Sequence, residues 1–297
     1  MASMSRSQNL EAILWVTAGT AVFSLIFASG KFAGDAASTL QILFLRYIGG
    51  SATLLAAMAA TGGGLSQFRS ARPASHFLRA LVGAYGGVAL IHASANMPIV
   101  DATAIGLLYV IFMVGLGVWF LGERITAQHW AGIVLCTAGA AVVMGSRGAF
   151  RTFDVAYLWP AAIAFAGAIL LALEGILIKT LSRSDQPLTV LLHVNFFGIL
   201  LLAVPAVLSW RSTDFADNLP LLLLGPVGIT AQYFIIRGYR MADVSVLGPV
   251  DYTWLIFAGL IGFAFFQEVP TMGSVIGSAV IAAGGVVLAL LKSAKAA

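Results

Sequence analysis

Charge is what this sequence has least of. Only 9% of its 297 residues are charged, whereas a soluble globular domain usually carries about 25% to cover its surface. That scarcity excludes water as the main solvent. A single cysteine, Cys136, excludes an intramolecular disulfide and a cysteine-based metal site; set in an apolar run, it reads as a small core residue. No stretch joins low hydrophobicity to high charge, which argues against a disordered tail or a separate soluble domain. Lys and Arg outnumber Asp and Glu by 16 to 12, yet they stand singly or in pairs between apolar runs, so no nucleic acid is expected as a partner. A phosphate-binding glycine loop, a metal-ligand cluster and a serine elbow are also missing. No metal and no cofactor are expected, and ATP-driven pumping would need another subunit.

What is abundant is apolar: 60% of the residues are hydrophobic and the mean hydropathy is +0.97. A bilayer core about 30 Å thick needs roughly 20 apolar residues per helix. Polar or Gly/Pro punctuation divides the chain at that interval into ten segments, at about 11–30, 37–60, 76–95, 102–121, 127–144, 155–179, 188–210, 219–239, 244–266 and 272–291. The breakers are Thr61 to Gly64, Met97-Pro98, Gln186-Pro187 and Val269-Pro270. The N-terminal run imitates a secretory signal but has spanning length and is followed by further spans, so it reads as a retained first helix. With a cytoplasmic N-terminus, the inside collects Arg6, Arg69, Arg72, Arg79, Arg124, Lys179, Arg183, Arg237, Arg240, Lys292 and Lys295, against Lys31, Arg147, Arg151 and Arg211 outside. That excess of basic residues predicts cytoplasmic termini at both ends and an even number of helices.

The chain also resembles itself at about half its length. Gly115 to Glu123 align with Leu260 to Glu268, each a span ending in glutamate; Thr126/Thr271, Gly132/Gly277 and Gly139/Gly284 follow at the same offset. Five helices per copy is an odd number, so the second copy must be inverted relative to the first. The expected fold is all-α integral membrane, ten transmembrane helices as two inverted repeats of five. Its boundaries are a cytoplasmic N-terminus 1–10, a first repeat 11–145, a linker 146–154, a second repeat 155–291 and a cytoplasmic C-terminus 292–297.

The paired glutamate-ended spans, the arginine of Leu45-Arg46-Tyr47 and the ten-helix count resemble the EamA group of the drug/metabolite transporter superfamily. Arg79-Ala80-Leu81-Val82-Gly83, the run Met97 to Gly106, and Leu121-Gly122-Glu123-Arg124 are especially similar to its first-half pattern. The resemblance spans essentially the whole chain and implies a carrier with a central cavity working by alternating access. It leaves the cargo open among amino acids, nucleotide-sugar-like solutes, riboflavin and S-adenosylmethionine. The second copy departs from the pattern where Gln267 replaces the glycine before the glutamate.

Ionisable side chains within hydrocarbon are costly and should face a polar cavity or a partner. Arg46 in the second segment and Asp251 in the ninth, just after Gly248-Pro249, fit best. The expectation is one cavity, with Arg46 for an anionic or carbonyl group and Asp251 for a cationic group or a proton; a structural ion pair is the alternative. Tyr85, His92 and Asn96 recur on one face of the third helix, where solute contact and helix-to-helix hydrogen bonding explain them equally. Gln232, Tyr109 and Trp254 complete the candidate solute set, with packing as the alternative for the aromatic pair. Asp251, Glu174 and His193 are the coupling or gating candidates, while Glu174 and Lys179 are more readily explained by snorkelling or by pairing with a neighbour. Glu123 and Glu268 read as caps or loop tethers, Trp15, Trp119, Trp159 and Trp210 as interfacial anchors, and Gly83/Gly87 and Gly273/Gly277 as close-approach positions.

These features predict a secondary transporter of a small organic metabolite, not an enzyme, in a bacterial inner membrane. The partners are the lipid bilayer and the solute, with a homodimer left open. A riboflavin-like vitamin is the leading cargo; S-adenosylmethionine and exported amino acids or metabolites are alternatives. The alternative of another class, an integral-membrane lipid-modifying enzyme, would need carboxylate or histidine clusters at a membrane face, and none is evident.

Overall fold

The computed structural model describes residues 6–33, 36–60, 62, 64–97, 99–151, 154–211 and 215–290. Lys292, Lys295 and the rest of the C-terminal segment 292–297, together with the breakers Thr61, Gly63 and Pro98, lie outside the described residues. With no water in a bilayer core, backbone groups must bond within their own segment, and the described residues accordingly form helices and turns without a strand. The first half comprises α1 (Arg6–Ala33), α2 (Thr39–Ala60), α3 (Pro73–Asn96), a span divided into α4 (Ile99–Gly106) and α5 (Tyr109–Leu121), and α6 (Ala127–Ser146). The second comprises α7 (Leu158–Ser184), α8 (Pro187–Leu208), α9 (Phe215–Met241), a span divided into α10 (Val244–Leu247) and α11 (Thr253–Phe266), and α12 (Met272–Ala289). Among the described residues, ten segments are long and apolar enough to cross a membrane.

Both divided spans carry a local cause or consequence. In the ninth, Gly248-Pro249 tightens the helix into a 3-10 turn over Gly248–Tyr252, since proline cannot supply the N–H that an α-turn needs. The fourth is interrupted at Leu107-Leu108, a break the sequence pattern does not reveal.

Small residues decide how closely the helices cross. A Cβ on Gly49 of α2 would lie 1.9 Å from the carbonyl oxygen of Leu222 in α9, and one on Gly225 would lie 2.2 Å from the carbonyl carbon of Gly49. On α6 and α12, Gly139 meets the carbonyl oxygen of Gly277 at 2.7 Å and Gly132 meets that of Gly284 at 3.4 Å, measured from the same built Cβ. On α2 and α8, Gly50 faces Asn195 and Gly198 faces Tyr47. Gly83 and Gly87 differ from the expected close-approach pair: Gly83 receives the carboxylate of Glu174, and Gly87 faces open space. The outer surface is apolar, with Leu208 and Trp119 exposed by 83% and 78%.

The two glutamate-ended spans stop in the same way. Gly122 and Gln267 both adopt left-handed backbone, φ 66° and 57°, and the following Glu123 and Glu268 amides donate to Gly117 O and Gly262 O at 3.3 and 3.0 Å. Gln267 therefore keeps the glycine conformation with a Cβ present, which costs about 1 kcal/mol. Gln267→Gly is expected to raise thermal stability in detergent by about that amount; an unchanged or lowered melting temperature would contradict it.

Two of the basic residues assigned to the inside are buried in the bundle rather than exposed at a span end. Arg79 and Lys179 lie within α3 and α7, each 1% exposed, because each has partners inside the bundle.

Candidate functional site

Two polar groups form within the apolar bundle. In the first, Arg46 is 6% exposed and its guanidinium lies 4.3 Å from the centroid of the Tyr47 ring, a cation–π contact. Gly228 makes room for it, since a Cβ there would be 3.1 Å from Arg46 Nη1. Arg79 donates from Nη2 to Gln232 Oε1 at 3.0 Å, and its Nε is 3.8 Å from Glu174 Oε1. Gly83 makes room for that carboxylate. Glu174 lies within the electrostatic reach of both arginines, so two cations confront one anion. Arg46 Nε and Arg79 Nε and Nη1 are buried without a hydrogen-bond partner among the described residues. Buried donors of this kind are costly unless something accepts from them.

In the second group, Asp251 accepts from Tyr239 Oη at 3.4 Å and is also hydrogen-bonded to Tyr109. The Tyr239 hydroxyl further contacts Met113 Sδ at 3.5 Å, and Tyr252 donates to Leu107 O at 3.4 Å across the break in the fourth span. Arg46 and Asp251 thus belong to different groups, related through Tyr239, which lies within the electrostatic reach of Glu174 as well.

Beside these groups, the junction of α9 and α10 is clamped from both sides. Lys179 Nζ donates to the carbonyls of Tyr239 and Ala242, satisfying a helix C-terminus. The Glu123 carboxylate accepts from Val244 N and Ser245 N, both at 2.8 Å, satisfying the next N-terminus. Lys179 does not snorkel; its two carbonyl partners hold it inside. Arg183 adds an outer pair with Asp243 at 3.2 Å.

Of the remaining candidates, His193 is buried and Trp254 packs against the main core. Tyr85, His92 and Asn96 are exposed; by helical geometry they occupy the side of α3 opposite Arg79 and Gly83. Arg79, Tyr47 and Tyr239 were not singled out as site residues from the sequence. For Arg79 a signal exists, its position four residues before Gly83 on one helical face.

A family model described as the EamA-like transporter family matches the chain twice, over residues 10–145 and 158–290. The chain belongs to this family. Relatives similar to this EamA-like chain include the S-adenosylmethionine uptake transporter of Rickettsia prowazekii, 23% identical over 92% of this chain and 90% of that protein. The riboflavin transporter of Rhizobium johnstonii is 26% identical over 73% and 70%, and the pseudopaline exporter of Pseudomonas aeruginosa is 25% identical over 94% and 96%. A solved crystal structure shares the fold with a TM-score of 0.77 at 24% identity, covering 96% of each chain. The EamA-like protein is therefore a multi-pass bacterial membrane protein and a transporter of small metabolites, not an enzyme.

Proposed function

We propose that this EamA-like transporter carries an amphoteric metabolite, with S-adenosylmethionine the first solute to test. The observation that carries the reading is the surplus of buried guanidinium donors: Arg46 and Arg79 face the single carboxylate of Glu174 with N–H groups to spare. A solute carboxylate would use those donors. Asp251, between the hydroxyls of Tyr109 and Tyr239, is suited to the cationic end. A riboflavin-like solute is the second reading, supported by the aromatic rings of Tyr47, Tyr109 and Tyr239 and by the riboflavin-transporting relative.

Alternating access by rocking of two inverted five-helix halves fits the packing. The Gly132 to Gly284 contact is what a two-fold operation would generate from the Gly277 to Gly139 contact, and Gly50 to Asn195 is related in the same way to Gly198 to Tyr47. Both termini are assigned to the cytoplasm of a bacterial inner membrane. The test is uptake of labelled S-adenosylmethionine and labelled riboflavin into proteoliposomes. S-adenosylmethionine uptake is expected, with loss of at least tenfold in Asp251→Asn, about 1.4 kcal/mol. Uptake of riboflavin alone would reject the amphoteric reading.

A further inference from the structure

Where α3 begins and α7 gives way to α8, several elements converge on a buried histidine. His76, in the first turn of α3, is 1% exposed. Its Nε2 lies 2.6 Å from Asp185 Oδ2, which also accepts from Ser70 Oγ at 2.6 Å. The His76 ring stacks on that of His193 in α8, with centroids 4.2 Å apart and planes inclined by 18°. His193 Nδ1 is 2.9 Å from Thr189 O. A carbonyl oxygen only accepts, so this nitrogen carries a hydrogen. Asp185 Oδ2 already acts as an acceptor toward Ser70 Oγ, so His76 Nε2 is the donor in its contact with that oxygen. His76 Nδ1 is left buried without a partner among the described residues.

A neutral His76 therefore presents a bare lone pair at Nδ1. A proton added there produces an imidazolium neutralised by Asp185 and opposed by any charge on His193. Two imidazolium ions stacked at this distance repel one another, so the pair holds one proton more readily than two. Arg79 stands three residues along the same helix, a spacing that makes it a neighbour of His76 on one helical face. Behind it stands Glu174, and Arg69 lines a polar cavity of about 350 Å³ that reaches Asp185 together with Ser184, Gln186 and Thr189. The cavity offers water a route to the carboxylate that balances the proton.

We propose that the His76–His193 stack is a single-proton site coupled through Arg79 to solute binding. The charge of Arg79 opposes the proton on His76. An anionic group seated on Arg79 removes that opposition, so proton and solute strengthen one another, and linkage makes the effect reciprocal. This arrangement suits symport of a proton with the solute. The solute half rests on Arg79 receiving an anion, as in the function proposed above, whereas the proton half does not.

The two halves are separable by ¹⁵N NMR of histidine rings in the detergent-solubilised full chain, with the four histidines assigned by single His→Gln variants. His76 is expected to take up one proton between about pH 5 and 8, while the His193 Nδ1–H signal persists. Asp185→Asn should lower the His76 proton affinity about tenfold and Arg79→Gln should raise it about tenfold. A His76 ring that does not titrate in that range, or two rings that titrate independently, would overturn the proton site, and the unmodified chain alone decides this if a variant does not fold. Saturating S-adenosylmethionine should raise the His76 proton affinity. If binding is measured and that affinity does not move, the coupling is overturned; if S-adenosylmethionine does not bind while the titration is as expected, the solute reading fails and the proton site stands.

Discussion

Arg79→Ala is expected to weaken S-adenosylmethionine binding about 100-fold, a loss of about 2.7 kcal/mol, and to destabilise the protein as well. The side chain is 1% exposed, bonds Gln232 at 3.0 Å and pairs with Glu174 at 3.8 Å. Its removal leaves the Glu174 carboxylate with Arg46 as its remaining cation, and breaking a buried pair costs about 3–5 kcal/mol when no partner is left. Glu174 retains 21% side-chain exposure, which places the expected cost at the lower end. The double variant Arg79→Ala, Glu174→Ala removes that carboxylate and should recover folding, read as a monodisperse elution profile, without recovering binding. Recovery of unchanged affinity in the double variant would make Arg79 a structural residue only. Arg79→Lys keeps the charge but not the planar fork and should fall between.

Gly49→Leu or Gly225→Leu should prevent proper assembly altogether. At that crossing a single added carbon would already lie 1.9 or 2.2 Å from main-chain atoms of the facing helix, so the backbones must part and no rotamer relieves the clash. Overpacking a tight site costs about 1–3 kcal/mol when side chains can adjust, and here the obstacle is backbone. The consequence extends to function, because α2 carries Arg46 and α9 carries Gln232 and Tyr239. Folded protein yield and melting temperature check the expectation; Gly87→Leu, at a glycine facing open space, is the control expected to change little. Equal yields from all three variants would show that α2 and α9 cross more loosely than these distances imply.

The sequence made the spans legible because burial in lipid demands long apolar runs, and ten segments appear within a few residues of their expected places. It made Arg46, Glu174 and Asp251 legible because charge inside such runs is expensive. The roles of the charged groups were less accessible. Lys179 and Glu123 were visible as charges near span ends, yet their partners are main-chain groups of Tyr239, Ala242, Val244 and Ser245, which have no side-chain signature. Arg79 stands near the start of its helix and was counted among the basic residues that set the orientation, with nothing in the sequence to mark its partners. The close stacking of His76 on His193, more than a hundred positions apart, follows from the docking of α3 against α8.

Periodicity, composition and the recurrence of glycine and glutamate at one offset by themselves determined that the chain is helical, lies in a membrane and consists of related halves, because these depend on local and repeated chemistry. Which cation meets which anion was decided only by tertiary structure. A charge in an apolar run announces its cost, while the partner that offsets this cost is selected by helix crossings at Gly49, Gly83 and Gly228, where the absence of a Cβ lets a backbone or a charged side chain come close.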